Sequence, residues 1–164
     1  MWSFACILAE LYTGYPLFPG ENEQEQIGYF MEVIGVPEID LLRTGGRAHL
    51  FFDRTGDPKP YTNSRGKTRM PDTKRLDKIL GCTDKKFVDL LLRCFVWDPE
   101  LRITPQEVCR HEWILEGLAP NILIHHMNLH QIEDEELPPN ILFNLKRYKE
   151  ERIRNGENIV DETP

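Results

Sequence analysis

Apolar residues recur along this chain in several rhythms, and each rhythm predicts a different element. Residues 2–13, WSFACILAELYT, are apolar on nearly every side, the pattern of a helix buried in the centre of a domain. Gly14 ends that helix, and the prolines and glycine of YPLFPG require a tight loop after it. Over residues 22–34, Ile27, Phe30, Met31 and Ile34 follow the 3, 4, 7 spacing of a second helix. Glu21, Glu23 and Glu25 suit the positive end of its dipole, and its outer face is expected to be acidic. The sharpest amphipathic pattern lies further on, where Phe87, Leu90, Leu91, Cys94 and Phe95 share one helical face and Asp84 stands in N-cap position. Thr104 is placed to cap the next helix, with Pro105 at its first position and Glu107 completing a capping box.

Between these helices, residues 36–76 hold only a short periodic piece near Leu41 and the apolar cluster Leu50, Phe51 and Phe52. Connections longer than about 12–15 residues without secondary structure are uncommon, so this stretch reads as an insertion. Its second half, RTGDPKPYTNSRGKTRMPDTKR, predicts an exposed, partly mobile loop with a basic bias. Beyond residue 118 the chain turns polar, with EDEE at 133–136 and two prolines before a further helix expected over 140–154. Leu142, Leu145 and Tyr148 give that helix only a narrow apolar stripe, so it needs packing against the main body or a partner. The last residues, 157–164, are expected to fray.

A length of 164 residues, 40% hydrophobic and 29% charged, suffices for one compact core. The formal net charge of -7 argues against a nucleic-acid partner, since phosphate backbones demand clustered Lys and Arg. Cys6, Cys82, Cys94 and Cys109 form no C-x-x-C pair, which points to a reducing compartment, cytoplasmic or nuclear. The apolar run near the start is too short to span a bilayer, and it lacks the flanks of a signal peptide, so no membrane partner is expected.

The run WDPELRIT, residues 97–104, resembles the turn that links the last two large helices of eukaryotic protein kinases. MWSFACILAELYTGYPLFPG resembles their central helix and the loop after it, with Ala5 where the family usually has glycine. The segment containing LFFD, DPKP and NSRGKTRMP is similar to the insert of the DYRK family, the dual-specificity tyrosine-phosphorylation-regulated kinases of the CMGC group. The resemblance implies a mainly α fold: a kinase C-lobe over 1–118, with the insert at about 36–76 and a polar tail over 119–164. It implies structural roles for Trp2, Trp97, Asp98, Pro99 and Arg102, the last pairing in the family with the Glu of an A-P-E motif. A parent enzyme would transfer the γ-phosphoryl of ATP, with Mg, to Ser or Thr of proteins and to its own activation-loop Tyr. This sequence contains no G-x-G-x-x-G, H-R-D, D-F-G or A-P-E, which phosphoryl transfer requires. The expectation is a C-terminal piece of a longer kinase that carries no catalytic residue, holds no cofactor and is inactive alone. Two rivals stay open: a non-catalytic protein-binding module derived from a kinase lobe, and an unrelated helical scaffold.

Glu10 occupies the position at which many kinases place a carboxylate for a basic residue preceding the phosphoacceptor, a preference shared in the DYRK family. It is the candidate substrate-recognition residue, against the plainer reading that it bonds a neighbouring structural group. Arg65, Lys67 and Arg69 form a short basic run, a candidate docking patch that could equally be solvated charge. His126 and His130 stand at i and i+4, but no Cys or acidic ligand falls at motif spacing beside them, so no metal site is expected.

Overall fold

In the computed structural model, residues 1–157 are described; the expectation of a frayed end falls, beyond Glu157, outside them. The described residues form α-helices and short 3-10 turns, with two isolated antiparallel bridges in place of any strand, so the mainly α fold is borne out. The chain divides into two compact units, Met1–Ile103 and a second that starts at Thr104. That division falls earlier than the expected boundary at 118.

In the first unit, α1 (Trp2–Thr13) packs against α4 (Leu76–Leu80) and α5 (Lys85–Cys94). Asp84 caps α5 as expected, its carboxylate accepting from the backbone N–H groups of Lys86 and Phe87. The predicted face of α5 is buried, with Leu90, Leu91 and Cys94 fully enclosed, and a buried leucine side chain contributes about 1.5–3 kcal/mol. The reading of α1 as buried all round needs correction. Ala5 and Ala9 form its buried stripe, small enough for close helix approach, while Ile7, Leu11 and Tyr12 are more than half exposed. The described helices cover only one face of it. Gly14 ends α1 with φ 79°, its N–H reaching the Glu10 carbonyl.

The second helix, α2 (Glu23–Ile34), begins at Asn22, whose side chain accepts from the Glu25 N–H. The insert then folds back along α2, after a short surface helix α3 (Ile39–Thr44). Two tight turns of the same design follow it. In the first, Asp53 accepts through its side chain from the N–H groups of Thr55 and Asp57; in the second, Asn63 does the same for Arg65 and Lys67. Each turn closes on an antiparallel bridge, Phe52 with Pro58 and Thr62 with Thr68. Each also places a glycine in the left-handed region, Gly56 at φ 90° and Gly66 at φ 74°, where a Cβ is disfavoured. The far end of the insert ties onto the end of α2: Lys74 donates its N–H to the Glu32 carbonyl, and Asp72 donates its own to the Met31 carbonyl, which also accepts from Gly35. The segment expected to be loose is tied down by these bonds.

The second unit holds α6 (Pro105–Cys109), α7 (Glu112–Gly117), α8 (Pro120–His130) and α9 (Pro139–Arg154). The capping box at Thr104 is present, with Thr104 and Glu107 exchanging bonds as expected. The stretch read as a polar tail has a core of its own, in which Leu115, Leu123, Met127, Ile132, Leu137, Ile141 and Leu145 meet. The buried residues of α9 are Ile141 and Leu145, with Leu142 and Tyr148 of the expected stripe only half-buried, and they suffice because α8, whose own pattern is weak, packs against them.

Candidate functional site

The structural residues assemble around one aromatic cluster in the first unit. Trp2 packs edge-on against Phe30 and Phe95, with ring centroids 4.9 and 5.3 Å away, and lies 5.4 Å from Trp97 in a tilted contact. Aromatic pairs of this kind add about 0.5–1.5 kcal/mol each beyond simple burial. The Trp97 indole N–H donates to the Gly35 carbonyl at 3.1 Å, joining the WDPE turn to the end of α2. Asp98 accepts from the Glu100 N–H, closing the turn around Pro99. Arg102 finds partners inside the chain: its Nε and Nη2 donate to the carbonyls of Val96 and Trp97 at 2.8 and 2.9 Å, and its guanidinium lies 5.3 Å from the Trp2 ring. The fork of arginine suits two adjacent carbonyls in a way a lysine does not. These bonds hold the turn in place without the A-P-E glutamate.

Glu10 sits on the exposed side of α1. Among the described residues no hydrogen bond or ion pair engages its carboxylate. One turn earlier, the Cys6 thiol is pushed up by burial and then by the Glu10 charge. Ile7 and Leu11 flank the carboxylate in sequence and are exposed with it. A free carboxylate beside apolar surface can accept a guanidinium while packing the stem of the same side chain.

The basic run separates into two kinds of residue. Arg65 and Lys67 remain at the surface, Arg65 reaching toward Glu21 at 3.7 Å. Arg69 does not belong to a docking patch: its side chain is 8% exposed, pairs with Glu32 at 2.8 Å and with Glu25 at 3.3 Å, and lies over the Tyr29 ring. Lys74 adds a further contact to Glu32 at 3.1 Å. The acidic residues of α2 are therefore matched by the basic insert, with Arg47 pairing Glu23 at the exposed surface. The Glu25 carboxyl is held below its ordinary range, first by the Asn63 amide, then by the Glu21 N–H and by Arg69. Sequence reasoning missed Glu25 and Glu32 as buried carboxylates. The available signal was complementarity, an acidic helix followed by a basic insert. Between α2 and the insert lies a groove of about 380 Å³, with Ile27, Met31, Phe51, Tyr61, Lys67 and Met70 among its lining.

In the second unit, the helical spacing brings the rings of His126 and His130 to 4.4 Å, and the fold adds Cys109 from α6, a residue that sequence spacing did not connect to them. His130 is held below the ordinary histidine range by burial, then by His126 and Arg110.

Comparison with known proteins agrees with this architecture. The protein kinase domain model matches residues 1–114. The human dual specificity tyrosine-phosphorylation-regulated kinase 4 is 54% identical over 114 residues, covering 70% of this chain and 22% of that protein. Kinase 2 of the same name from Drosophila melanogaster is 52% identical over 114 residues, with 70% and 16% covered. The DYRK-family kinase pom1 of Schizosaccharomyces pombe is 45% identical over the same length, with 70% and 10% covered. The chain thus spans about a fifth or less of the length of these relatives. By its helices, its WDPELRIT turn and the extent of these matches, the chain belongs to the protein kinase family, in the branch of the dual-specificity tyrosine-phosphorylation-regulated kinases.

Proposed function

We propose that this chain is the substrate-holding lobe of a kinase that transfers the γ-phosphoryl of ATP to Ser or Thr of proteins, with Glu10 selecting a basic residue ahead of the phosphoacceptor. Kinases of this family use ATP and Mg, held by a glycine-rich loop, a strand lysine and the D-F-G aspartate. Those motifs are not in this sequence, so the expected outcome is that the 164 residues alone bind no Mg-ATP and transfer no phosphate. The lobe contributes position rather than chemistry: the aromatic cluster and Arg102 hold the WDPE turn, and α1 presents Glu10. The observation that carries the reading is the unengaged Glu10 carboxylate on the central helix of a lobe 54% identical to a DYRK kinase.

The test is Glu10→Ala in the kinase that carries this lobe, with kcat/KM measured for peptides bearing Arg or Ala upstream of the acceptor. A charge-assisted contact is worth about 1.5–3 kcal/mol, so preference for the Arg peptide should fall roughly ten- to a hundredfold. Equal slowing of both peptides would make Glu10 a structural part of α1 and end the recognition claim. A second reading, protein docking on the insert, is favoured by the groove beside α2, with Lys67 in its lining and Arg65 on the neighbouring surface. It requires that Arg65→Glu with Lys67→Glu lower kcat/KM for protein substrates while leaving short peptides unchanged.

A further inference from the structure

We propose that Cys109, His126 and His130 form a three-ligand zinc site in the second unit. One donor atom from each residue lies within 4.8 Å of the other two, and all three residues are partly shielded from solvent. The donors come from two elements, Cys109 from the end of α6 and the histidine pair from one face of α8. Ligand atoms around tetrahedral zinc, with Zn–N near 2.1 Å and Zn–S near 2.3 Å, lie roughly 3.4–3.7 Å apart. The observed spread therefore closes by about 1 Å, within the reach of side-chain rotation.

Three further features support the site. The His126 Nε2 lies 2.7 Å from the Cys109 carbonyl, so the backbone that carries one ligand also orients another. Zinc-bound histidines commonly carry such a second hydrogen bond, and it fixes the ring and its tautomer. One thiolate with two neutral imidazoles is also a borderline-soft set that suits zinc better than the hard cations, which take oxygen. The opposing charge nearby is Arg110, which donates to the carbonyls of His130 and Gln131. Its cation is offset by Glu136, paired at 3.3 Å, and the thiolate removes one of the two charges of the metal. Three protein ligands leave the fourth position to water or to a group from a partner. Zinc bound here clips α6, which lies within the kinase match, to α8, which lies beyond it.

The inference is independent of the phosphotransfer reading and is tested on the full 164-residue chain. The chain is stripped with a chelator, kept reduced, and titrated with zinc against a chromophoric chelator; cobalt(II) is the spectroscopic probe. We expect one zinc per chain, a thiolate-to-cobalt charge-transfer band in the near ultraviolet, and a higher melting temperature with zinc. Cys109→Ser, nearly isosteric, should abolish the band and weaken zinc at least tenfold, as should His130→Gln. Cys6→Ser, on α1, should bind as the parent does. Far-ultraviolet circular dichroism establishes that each variant is folded. No zinc binding, binding unchanged in Cys109→Ser, or cobalt bound without the charge-transfer band would overturn the proposal.

Discussion

Arg69→Met is the most exposing change that can be made to the insert. Arg69 holds Glu32 at 2.8 Å in a setting where both side chains are under a tenth exposed, 8% and 6%. Removing one partner of such a pair leaves a buried charge unmatched and typically costs about 3–5 kcal/mol. Glu32 keeps Lys74 at 3.1 Å, which is 41% exposed, so the lower end, about 3 kcal/mol, is expected at pH 7. For a unit of about a hundred residues that corresponds to a fall in Tm of roughly 12–24 °C. Thermal denaturation followed by circular dichroism measures it, with Arg65→Met as the exposed control that should move Tm by little. The pH dependence has a definite sign. Glu25 has a folded pKa below its ordinary value, so its ionised form adds stability that is present above that value and lost as pH falls through the lower, folded one. Arg69 supplies part of that depression, so the gap between the parent and Arg69→Met should narrow below about pH 4.5 as Glu25 protonates. A Tm within about 1 °C of the parent at pH 7, or a gap that widens in acid, would refute the buried-pair account.

Arg102→Ala should destabilise the first unit by about 2–3 kcal/mol, because two backbone carbonyls lose a charged donor. In the whole kinase it should slow every peptide alike; Arg102→Lys should recover less than half of the stability, since an ammonium cannot fork between two carbonyls. Leu145→Ala, at a fully buried position of α9, should lower the stability of the second unit by about 2–5 kcal/mol. Hydrogen exchange resolves the effect by region, and protection of α5 should stay unchanged, as that helix belongs to the other unit.

What was legible in the sequence had local causes. The caps at Asp84 and Thr104 each rest on a side chain bonding a backbone group two or three residues away, so residue type and spacing suffice to find them. The buried face of α5 was equally plain, because four of its residues repeat at helical spacing and all four are enclosed. The insert is exposed over most of 54–75 as expected, but its ties to α2 escaped notice for the opposite reason. Its stability comes from contacts with residues some forty positions away, such as Asn63 to Glu25 and Arg69 to Glu32, and composition rich in Gly, Pro and Asn reads as loose unless those partners are known. Two signals were present and unread: the repeated Asx turn around Gly56 and Gly66, and the match of acid to base between α2 and the insert. For α1, hydrophobicity gave the helix but not its covering, since periodicity carries no information on which apolar faces find a partner. Cys109 escaped notice beside His126 and His130 because ligands on separate helices obey no sequence spacing.

The most direct test of the substrate-lobe reading is phosphotransfer by a chimera in which the upstream part of the human kinase 4 domain is joined to this chain. With radiolabelled ATP and a peptide carrying Arg ahead of its acceptor serine, the 164-residue chain alone should bind no Mg-ATP and transfer no phosphate. The chimera should transfer it, and its preference for Arg over Ala in the peptide should fall at least tenfold on Glu10→Ala. Turnover by the chain alone would contradict the account, as would a folded chimera that binds Mg-ATP yet phosphorylates neither peptide.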